Sequence, residues 1–368
     1  MHLSQLTLSH FKNYTEANFR FSPSLNVFFG KNGAGKTNVL DAIYYLAITR
    51  SYFNSVDHQQ IQHGEQFFAL QANLIQEEIE TELRLFFQRG IGKKLLVQQN
   101  EVEKFSEHIG QMPVVMIAPG DIQLIYEGSE DRRKFIDLLI SQCNRIYLHE
   151  LQSYQRSLDQ RNKLLKDFHE NRYFDRDLLA TYNEQLIQSG SYIHRIRHTF
   201  IDDFKPLFLS NYQRLAGSNE QVNLAYESDL NKTTFANLLL QAESADVDLL
   251  RTTKGIHKDD WSFLIDQQVL KKFGSQGQQK TFIIALKLAQ FQYLHLKKGV
   301  KPILLLDDIF EKLDQQRLAE LFKWMSDGLF GQIFITDTQE KRLRAMLAKT
   351  HLPCVYFSID NGVVVSHS

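Results

Sequence analysis

The stretch Phe28-Phe29-Gly30-Lys31-Asn32-Gly33-Ala34-Gly35-Lys36-Thr37 constrains this chain more than any other, because it satisfies G-x-x-x-x-G-K-[ST] in full. Its flanks fit the pattern. Leu25, Val27, Phe28 and Phe29 read as a buried strand, and Val39, Leu40, Ile43, Leu46 and Ala47 recur at helical spacing behind the loop. Strand, glycine loop and helix in that order make a phosphate cradle. Gly30, Gly33 and Gly35 let the backbone curl, so that the N–H groups of the loop, those of Lys31, Asn32 and Ala34 included, face phosphates beside the helix N-terminus. Lys36 reaches the β and γ oxygens and Thr37 ligates Mg²⁺, so a nucleoside triphosphate is the expected ligand.

At 368 residues and 43% hydrophobic, the chain can bury a large core and is expected to form two lobes. Its 42 lysines and arginines balance 43 aspartates and glutamates, so any nucleic-acid binding rests on a local basic surface. Cys143 and Cys354 show no metal-ligand spacing, and a reducing cytoplasm is the expected setting. No apolar run approaches the roughly 20 residues of a membrane span, and no charged-then-apolar segment opens the chain. Neither secretion nor membrane insertion is expected.

Ahead of the P-loop, Leu3, Leu6 and Leu8, then Phe19 and Phe21, predict short strands around the loop Phe11-Lys12-Asn13-Tyr14. Phe67 to Leu74, Leu83 to Phe87 and Leu95 to Val97 predict three more, and Pro113 to Ile117 a buried one. The period then changes. Leu139, Cys143, Tyr147, Leu151, Tyr154, Leu158, Leu165 and Phe168 predict one unbroken helix over 132–169, about 55 Å long. Leu179, Tyr182, Leu186, Ile193, Ile196, Phe200 and Phe204 predict a second that stops before Pro206, and Asn171 to Asp177 joins the two as an antiparallel hairpin. The sequence leaves open whether this hairpin has a task of its own or packs within a lobe.

Val222 to Tyr226 then reads as a strand, Thr234 to Gln241 as a helix, and Trp261 to Ile265 with Val269 to Phe273 as a hairpin turning at Asp266-Gln267-Gln268. Gly274-Ser275-Gln276-Gly277-Gln278-Gln279-Lys280 opens a long helix, and a glycine-serine loop in that position is an anion site by geometry. Pro302 to Leu306 reads as a buried parallel strand ending in Asp307-Asp308, where the ligands of α/β sheets sit. As a Walker B pair, Asp307 holds Mg²⁺ directly or through water, and Asp308 orients and deprotonates the attacking water. Ile333 to Thr336 is another such strand, and Val355 to Ile359 with Val363 to Val365 closes a hairpin at Asn361-Gly362.

The P-loop, a Ser-Gln-Gly-Gln-Gln signature over two hundred residues later, and Leu304-Leu305-Leu306-Asp307-Asp308 followed by Lys312-Leu313-Asp314 resemble the ABC-type ATPase heads of the SMC class. Four further stretches narrow the resemblance, along nearly the whole chain, to the RecF family of bacterial recombination mediators. They are Phe11-Lys12-Asn13-Tyr14, Thr49-Arg50-Ser51, Asp131-Arg132-Arg133-Lys134-Phe135-Ile136-Asp137 and Gly255-Ile256-His257-Lys258-Asp259-Asp260. The implied fold is α/β: an ABC/SMC-type P-loop ATPase head with an inserted α-helical lobe containing a helical hairpin over 132–205. The expected divisions are 1–125 for the P-loop part of the ATPase lobe, 126–245 for the helical lobe, and 246–368 for the part with signature and Walker B.

The resemblance also implies a weak Mg²⁺-dependent ATPase. ATP would be bound by Gly30 to Thr37 with Lys12, and Mg²⁺ by Thr37 and Asp307, while Lys36 and Asp308 serve catalysis. Two copies would close head to tail, with Ser275, Gly277 and Gln278 of one chain on the γ-phosphate held by the other and Asp314 in the loop crossing the interface. ATP is then the glue of the dimer, and its hydrolysis times residence on DNA. Proteins of this kind act in DNA repair, replication, recombination and the SOS response, on single- or double-stranded DNA at gaps or junctions. They work with RecR and RecO to help load the RecA recombinase.

Some positions depart from related patterns. Asp308 stands where transporter ATPases carry Glu, and its shorter reach fits slow hydrolysis; Thr336-Asp337-Thr338 fills the place of their switch histidine. Pro119-Gly120-Asp121 and Phe53-Asn54 replace an expected Pro-Glu-Asp and Phe-Arg, and no Q-loop glutamine can be placed. A transporter subunit would show Leu-Ser-Gly-Gly, and a chromosome-organising SMC head hundreds of residues of coiled coil. An overcoming-lysogenization nuclease would need more than the sixty residues after Asp308. A metabolic kinase would leave the signature without a role. For DNA phosphates the candidates are Arg50, Lys93, Lys94, Arg132, Arg133, Arg156, Arg161 and Lys163. His194 and His198 lie i, i+4 without a third ligand and read as surface or packing residues, and the sequence gives His257 to Asp260 no mechanism.

Overall fold

The computed structural model describes residues 1–217, 220–310 and 314–367. Two compact units divide the chain: Met1–Asp121, Arg214–Gly217 and Lys280–Ser368 form one, Ile122–Gln213 and Ser218–Gln279 the other. The second unit therefore does not end near 245, as expected, but takes in the chain through the signature to Gln279. Two contacts explain it. Asp260–Ile265 pairs along its whole length with Val222–Glu227, and Asp246 is buried against Arg161.

The P-loop unit holds two six-stranded sheets. One is antiparallel, ordered Tyr14–Arg20, His2–Phe11, Phe67–Gln76, Ile79–Gln88, Gly92–Val97, Asn100–Glu101. Along Phe67–Gln76 every second side chain, from Phe68 to Leu74, is buried, the period-two pattern of a half-covered sheet. The other sheet runs Val363–His367, Cys354–Asp360, Leu25–Phe29, Ile333–Asp337, Ile303–Leu306, Val114–Ile117, parallel except for its terminal hairpin. Leu25–Phe29 is buried at all five positions, as an inner parallel strand requires. Phe28 stacks on Phe357 (centroids 5.1 Å apart) and on Phe334 (6.4 Å), and Phe21 meets Phe334 edge-on at 4.8 Å. These rings fix the strand from which the P-loop springs; truncating Phe28 to Ala would cost about 3–5 kcal/mol.

In the other unit the expected helix over 132–169 is two helices, Ser129–Cys143 and Arg145–Glu170. Asn144 breaks the run with extended backbone (φ −136°, ψ 101°), and its side chain accepts from the Tyr147 N–H at 2.9 Å. It is the N-cap of the second helix, so the arm has 26 residues and spans about 39 Å, not 55. The returning helix, Arg176–Ala216, runs on through Pro206 instead of stopping before it. Pro206 and Asp202, the residue whose carbonyl loses its donor, lie on the exposed side of the helix, while Phe200, Phe204, Phe208 and Tyr212 carry the buried stripe past the proline.

The two arms are antiparallel as expected: Ser157 bonds Gln185, Arg161 bonds Asn183, and Leu164, Leu165, Phe168 and Leu179 form one buried cluster. The predicted strand Val269–Phe273 is a strand for two residues only, Gln268–Val269. Asp266 and Gln267, both at positive φ, make a two-residue turn, and Leu270–Phe273 then coils into a helical turn that buries Leu270.

Candidate functional site

Gly35 opens the P-loop helix Lys36–Ile48 at φ 118°, and a Cβ there would lie 2.7 Å from Asn13 Nδ2. Only glycine fits. Asn13 Nδ2 donates to the Ala34 carbonyl at 2.9 Å, Tyr14 Oη to the Gly35 carbonyl at 3.1 Å, and the Gly362 N–H to the Ala34 carbonyl at 2.8 Å. Asn38 Nδ2 donates to Asn13 Oδ1 at 2.7 Å. With their carbonyls taken from behind, the loop residues keep their other face outward, and Lys31, Asn32 and Gly33 are exposed. Asn13 and Tyr14 stand out in the sequence only through the resemblance, and Gly362 only as a hairpin turn, since the clamp joins segments far apart along the chain.

Lys36 is buried, with Nζ donating to the carbonyls of Gly30 (2.9 Å) and Lys31 (3.0 Å). Thr37 Oγ1 donates to Asp307 Oδ1 at 2.7 Å, and Thr336 Oγ1 donates to the same oxygen at 2.8 Å. The Asp308 N–H in turn donates to Thr336 Oγ1 at 2.9 Å, and Asp308 sits in the left-handed region at φ 43°, which aspartate tolerates better than most side chains. Burial pushes the Asp307 carboxyl above the usual aspartate range, and the charge of Asp308 adds to this, while the hydroxyls of Thr37 and Thr336 and the charge of Lys36 oppose it. The structure thus brings Lys36, Thr37, Asp307 and Asp308 together, and adds Thr336, which the sequence offers only as a stand-in for a histidine.

Lys12 lies at 2.5 Å from the fully buried Asp41, which also accepts from Ser51 Oγ and the Tyr52 N–H. The structure gives Lys12 this partner on the P-loop helix. Asp314 caps the helix Gln315–Ser326 by accepting from the Arg317 N–H at 2.9 Å; Lys312 and Leu313 lie outside the described residues. In the other unit Ser275, Gly277 and Gln278 open the helix Gln276–Lys298, with Ser275 exposed at its start.

The cations proposed for DNA divide sharply. Arg161 is 0% exposed and pairs with Asp246 at 2.7 Å, Arg132 makes two bonds to the Asp260 carboxylate (2.8 and 3.0 Å), and Arg133 donates to the Asp259 carbonyl at 2.5 Å. Lys93 donates to the Thr49 carbonyl at 2.5 Å and to Asp57 at 2.9 Å. These four hold the fold together, and the expectation that they meet phosphates is withdrawn. Arg50, Arg156 and Lys163 are exposed, and Lys94 is exposed beside Glu101.

The stretch Gly255 to Asp260 is likewise a staple. Arg197, 1% exposed, binds the Ile256 carbonyl and Asp259 as well as Asp137. His257 Nδ1 lies 2.7 Å from Tyr154 Oη and Nε2 3.1 Å from the Thr252 carbonyl, and burial lowers its pKa to about 4. His194 bonds Asn231 at the surface, His198 lies near Asp202, and no cluster of three metal-ligating side chains occurs among the described residues. No helix among them is long and apolar enough to cross a membrane.

The model of the RecF/RecN/SMC N terminal domain matches residues 2–357. The DNA replication and repair protein RecF of Flavobacterium johnsoniae is 48% identical over 98% of this chain and 100% of its own length. The RecF of Parabacteroides distasonis is 41% identical over 99% of each. Among solved structures, a recombination mediator protein RecF with ATP, of the RecFOR pathway, superposes with a TM-score of 0.90 at 27% identity, covering 100% of this chain and 97% of that one. An Smc head domain from Pyrococcus furiosus, at 16% identity, a TM-score of 0.57 and coverage of 100% and 96%, shares the fold.

Proposed function

The chain belongs to the RecF/RecN/SMC N-terminal domain family and within it to the RecF proteins, and from that premise we propose that it is an ATP-dependent DNA-binding recombination mediator of the cytoplasm. The observation that carries the reading is the lattice of Thr37, Asp307, Thr336 and Asp308, which ties the P-loop to the Walker B acids through bonds of 2.7 to 2.9 Å. A polar lattice built on a buried carboxylate beside a phosphate loop is costly unless it meets a charged ligand.

Thr37 Oγ1 and Asp307 Oδ1 are adjacent hard oxygen donors, the set Mg²⁺ takes together with phosphate oxygens, so the residues present fit the ion. Held by these two residues, Mg²⁺ would supply positive charge to the bound phosphates. Lys36 adds a second cation, and the loop N–H groups of Lys31, Asn32, Gly33 and Ala34 orient the phosphates. Asp308 accepts a proton from water as the water oxygen bonds to the γ-phosphorus and the bond to the β–γ bridging oxygen breaks, leaving ADP and phosphate. An aspartate in this place reaches less far than a glutamate, which suits slow turnover.

Ser275, Gly277 and Gln278 of a second copy bind the γ-phosphate, so the triphosphate joins two chains and its hydrolysis parts them. Closed, the pair binds single- or double-stranded DNA at gaps or junctions and works with RecR and RecO to load RecA. Binding to gapped DNA, with and without ATP, tests this. Lys36→Ala should bind DNA equally weakly in both conditions, while Asp308→Asn should hold DNA longer than wild type in ATP. DNA affinity unmoved by ATP in wild type would overturn the reading, and hydrolysis by Asp308→Asn at the wild-type rate would remove Asp308 as the base.

A further inference from the structure

Ser275 and Gln278 cap the signature helix reciprocally: the Gln278 N–H donates to Ser275 Oγ at 3.2 Å, and the Ser275 N–H donates to Gln278 Oε1 at 2.7 Å. The far end of the Gln278 amide is held as well. Its Nε2 donates to Glu220 Oε1 at 3.0 Å, and Tyr212 Oη donates to Glu220 Oε2 at 2.5 Å. Next to Glu220, the Asp266 N–H donates to the Gln221 carbonyl at 2.7 Å, and the Gln221 N–H donates to the Asp266 carboxylate at 3.2 Å. Tyr212, 1% exposed on the long helix, gives the carboxylate a rigid anchor.

We propose that Glu220, braced by Tyr212, is a positioning residue for the signature: it fixes which way the Gln278 amide faces and so holds the Ser275 hydroxyl ready for a phosphate oxygen. The proposal deepens the reading above and rests on its claim that the signature acts on the nucleotide of a second copy. A carboxylate only accepts hydrogen bonds, so beside Glu220 the amide must present its NH₂, which leaves its oxygen for the Ser275 N–H. Turned over, the amide would set oxygen against carboxylate and NH₂ against N–H. Glu220 excludes that arrangement. With one lone pair of Ser275 Oγ taken by the Gln278 N–H, the hydroxyl proton has no acceptor among the described residues and remains for an incoming anion.

The test uses full-length chains, ATP-dependent dimer mass and steady-state ATP turnover. Glu220→Ala should bind a non-hydrolysable ATP analogue as wild type does, since its own P-loop is intact, yet lose about tenfold in dimer affinity and turnover. Glu220→Gln should stay within about threefold of wild type, because its oxygen can accept from Gln278 and its NH₂ can donate to Tyr212 Oη. Tyr212→Phe should fall between them. Since the defect lies in the signature, adding Lys36→Ala chains, which lack a working P-loop but carry an intact signature, should restore turnover by Glu220→Ala chains, as it restores Ser275→Arg chains.

If Glu220→Ala dimerises and turns over like wild type, or if Ser275→Arg is rescued by Lys36→Ala and Glu220→Ala is not, the proposal fails while the trans signature stands. If neither is rescued, the trans reading itself fails. A fall in Glu220→Gln as deep as in Glu220→Ala would make the charge, not the orientation of the amide, the operative property and would also overturn the proposal.

Discussion

The P-loop and the buried arginines of the helical unit use their polar groups in opposite ways. In the P-loop unit, carbonyls are taken from behind by Asn13, Tyr14 and Gly362, and the outward side of the loop stays exposed. In the helical unit, Arg161 and Arg197 are 0% and 1% exposed and their charges are matched to Asp246, Asp137 and Asp259. The P-loop leaves hydrogen-bonding capacity facing out, whereas the two arginines spend most of theirs internally, with Arg161 Nη2 buried without a partner among the described residues.

The contrast is open to attack at several depths. Removing a staple should act on stability: Arg197→Ala strands Asp137 and Asp259 and should cost about 3–5 kcal/mol in urea unfolding, with a loss below 1 kcal/mol showing that the network is dispensable. A site residue should act on chemistry instead. Thr336→Val removes the hydroxyl that serves both Walker B acids, and turnover should fall by about 1–3 kcal/mol of barrier while ATP affinity holds; a normal rate would free Asp307 and Asp308 from dependence on it.

His257 couples the stability of the helical unit to pH. Burial lowers its pKa to about 4 from an ordinary value of 6.5, opposed by the hydrogen bond to the Thr252 carbonyl and the charge of Asp246 and aided by Lys258 and Arg133. Between these values the unfolded chain binds the extra proton. The stability contributed by neutral His257 is therefore complete above about 6.5, declines as pH falls towards about 4, and amounts to the order of 1–3 kcal/mol. His257→Gln should flatten the difference in unfolding free energy between pH 7 and pH 5, and an equally steep fall in the variant would exclude His257 as its source. The smallest effect is expected at exposed cations: Arg156→Ala with Lys163→Ala should shift stability by no more than about 0.5 kcal/mol, and a lower salt slope of DNA binding would mark them as phosphate contacts.

The P-loop, the buried Walker B strand and the signature helix can be read because each is a local pattern with its own flanks. Thr336 could not, since its two partners lie nearly thirty residues back along the chain. In the helical unit the period predicted helices correctly, yet Asn144 passes for a helical residue until its side chain is seen accepting from the Tyr147 N–H, and Pro206 passes for a stop until it is seen on the exposed side of a helix whose buried stripe continues past it. Arg132, Arg133 and Arg161 look like surface cations because a sequence shows charge and not the distant carboxylates and carbonyls that absorb it.

The proposal that a P-loop and a signature from two copies meet across ATP is best checked by mass in solution. Light scattering should give the 42.9 kDa chain without nucleotide and twice that mass with ATP and Mg²⁺, and Ser275→Arg should remain single in both. A wild-type mass unchanged by ATP while hydrolysis proceeds would exclude a signature acting in trans.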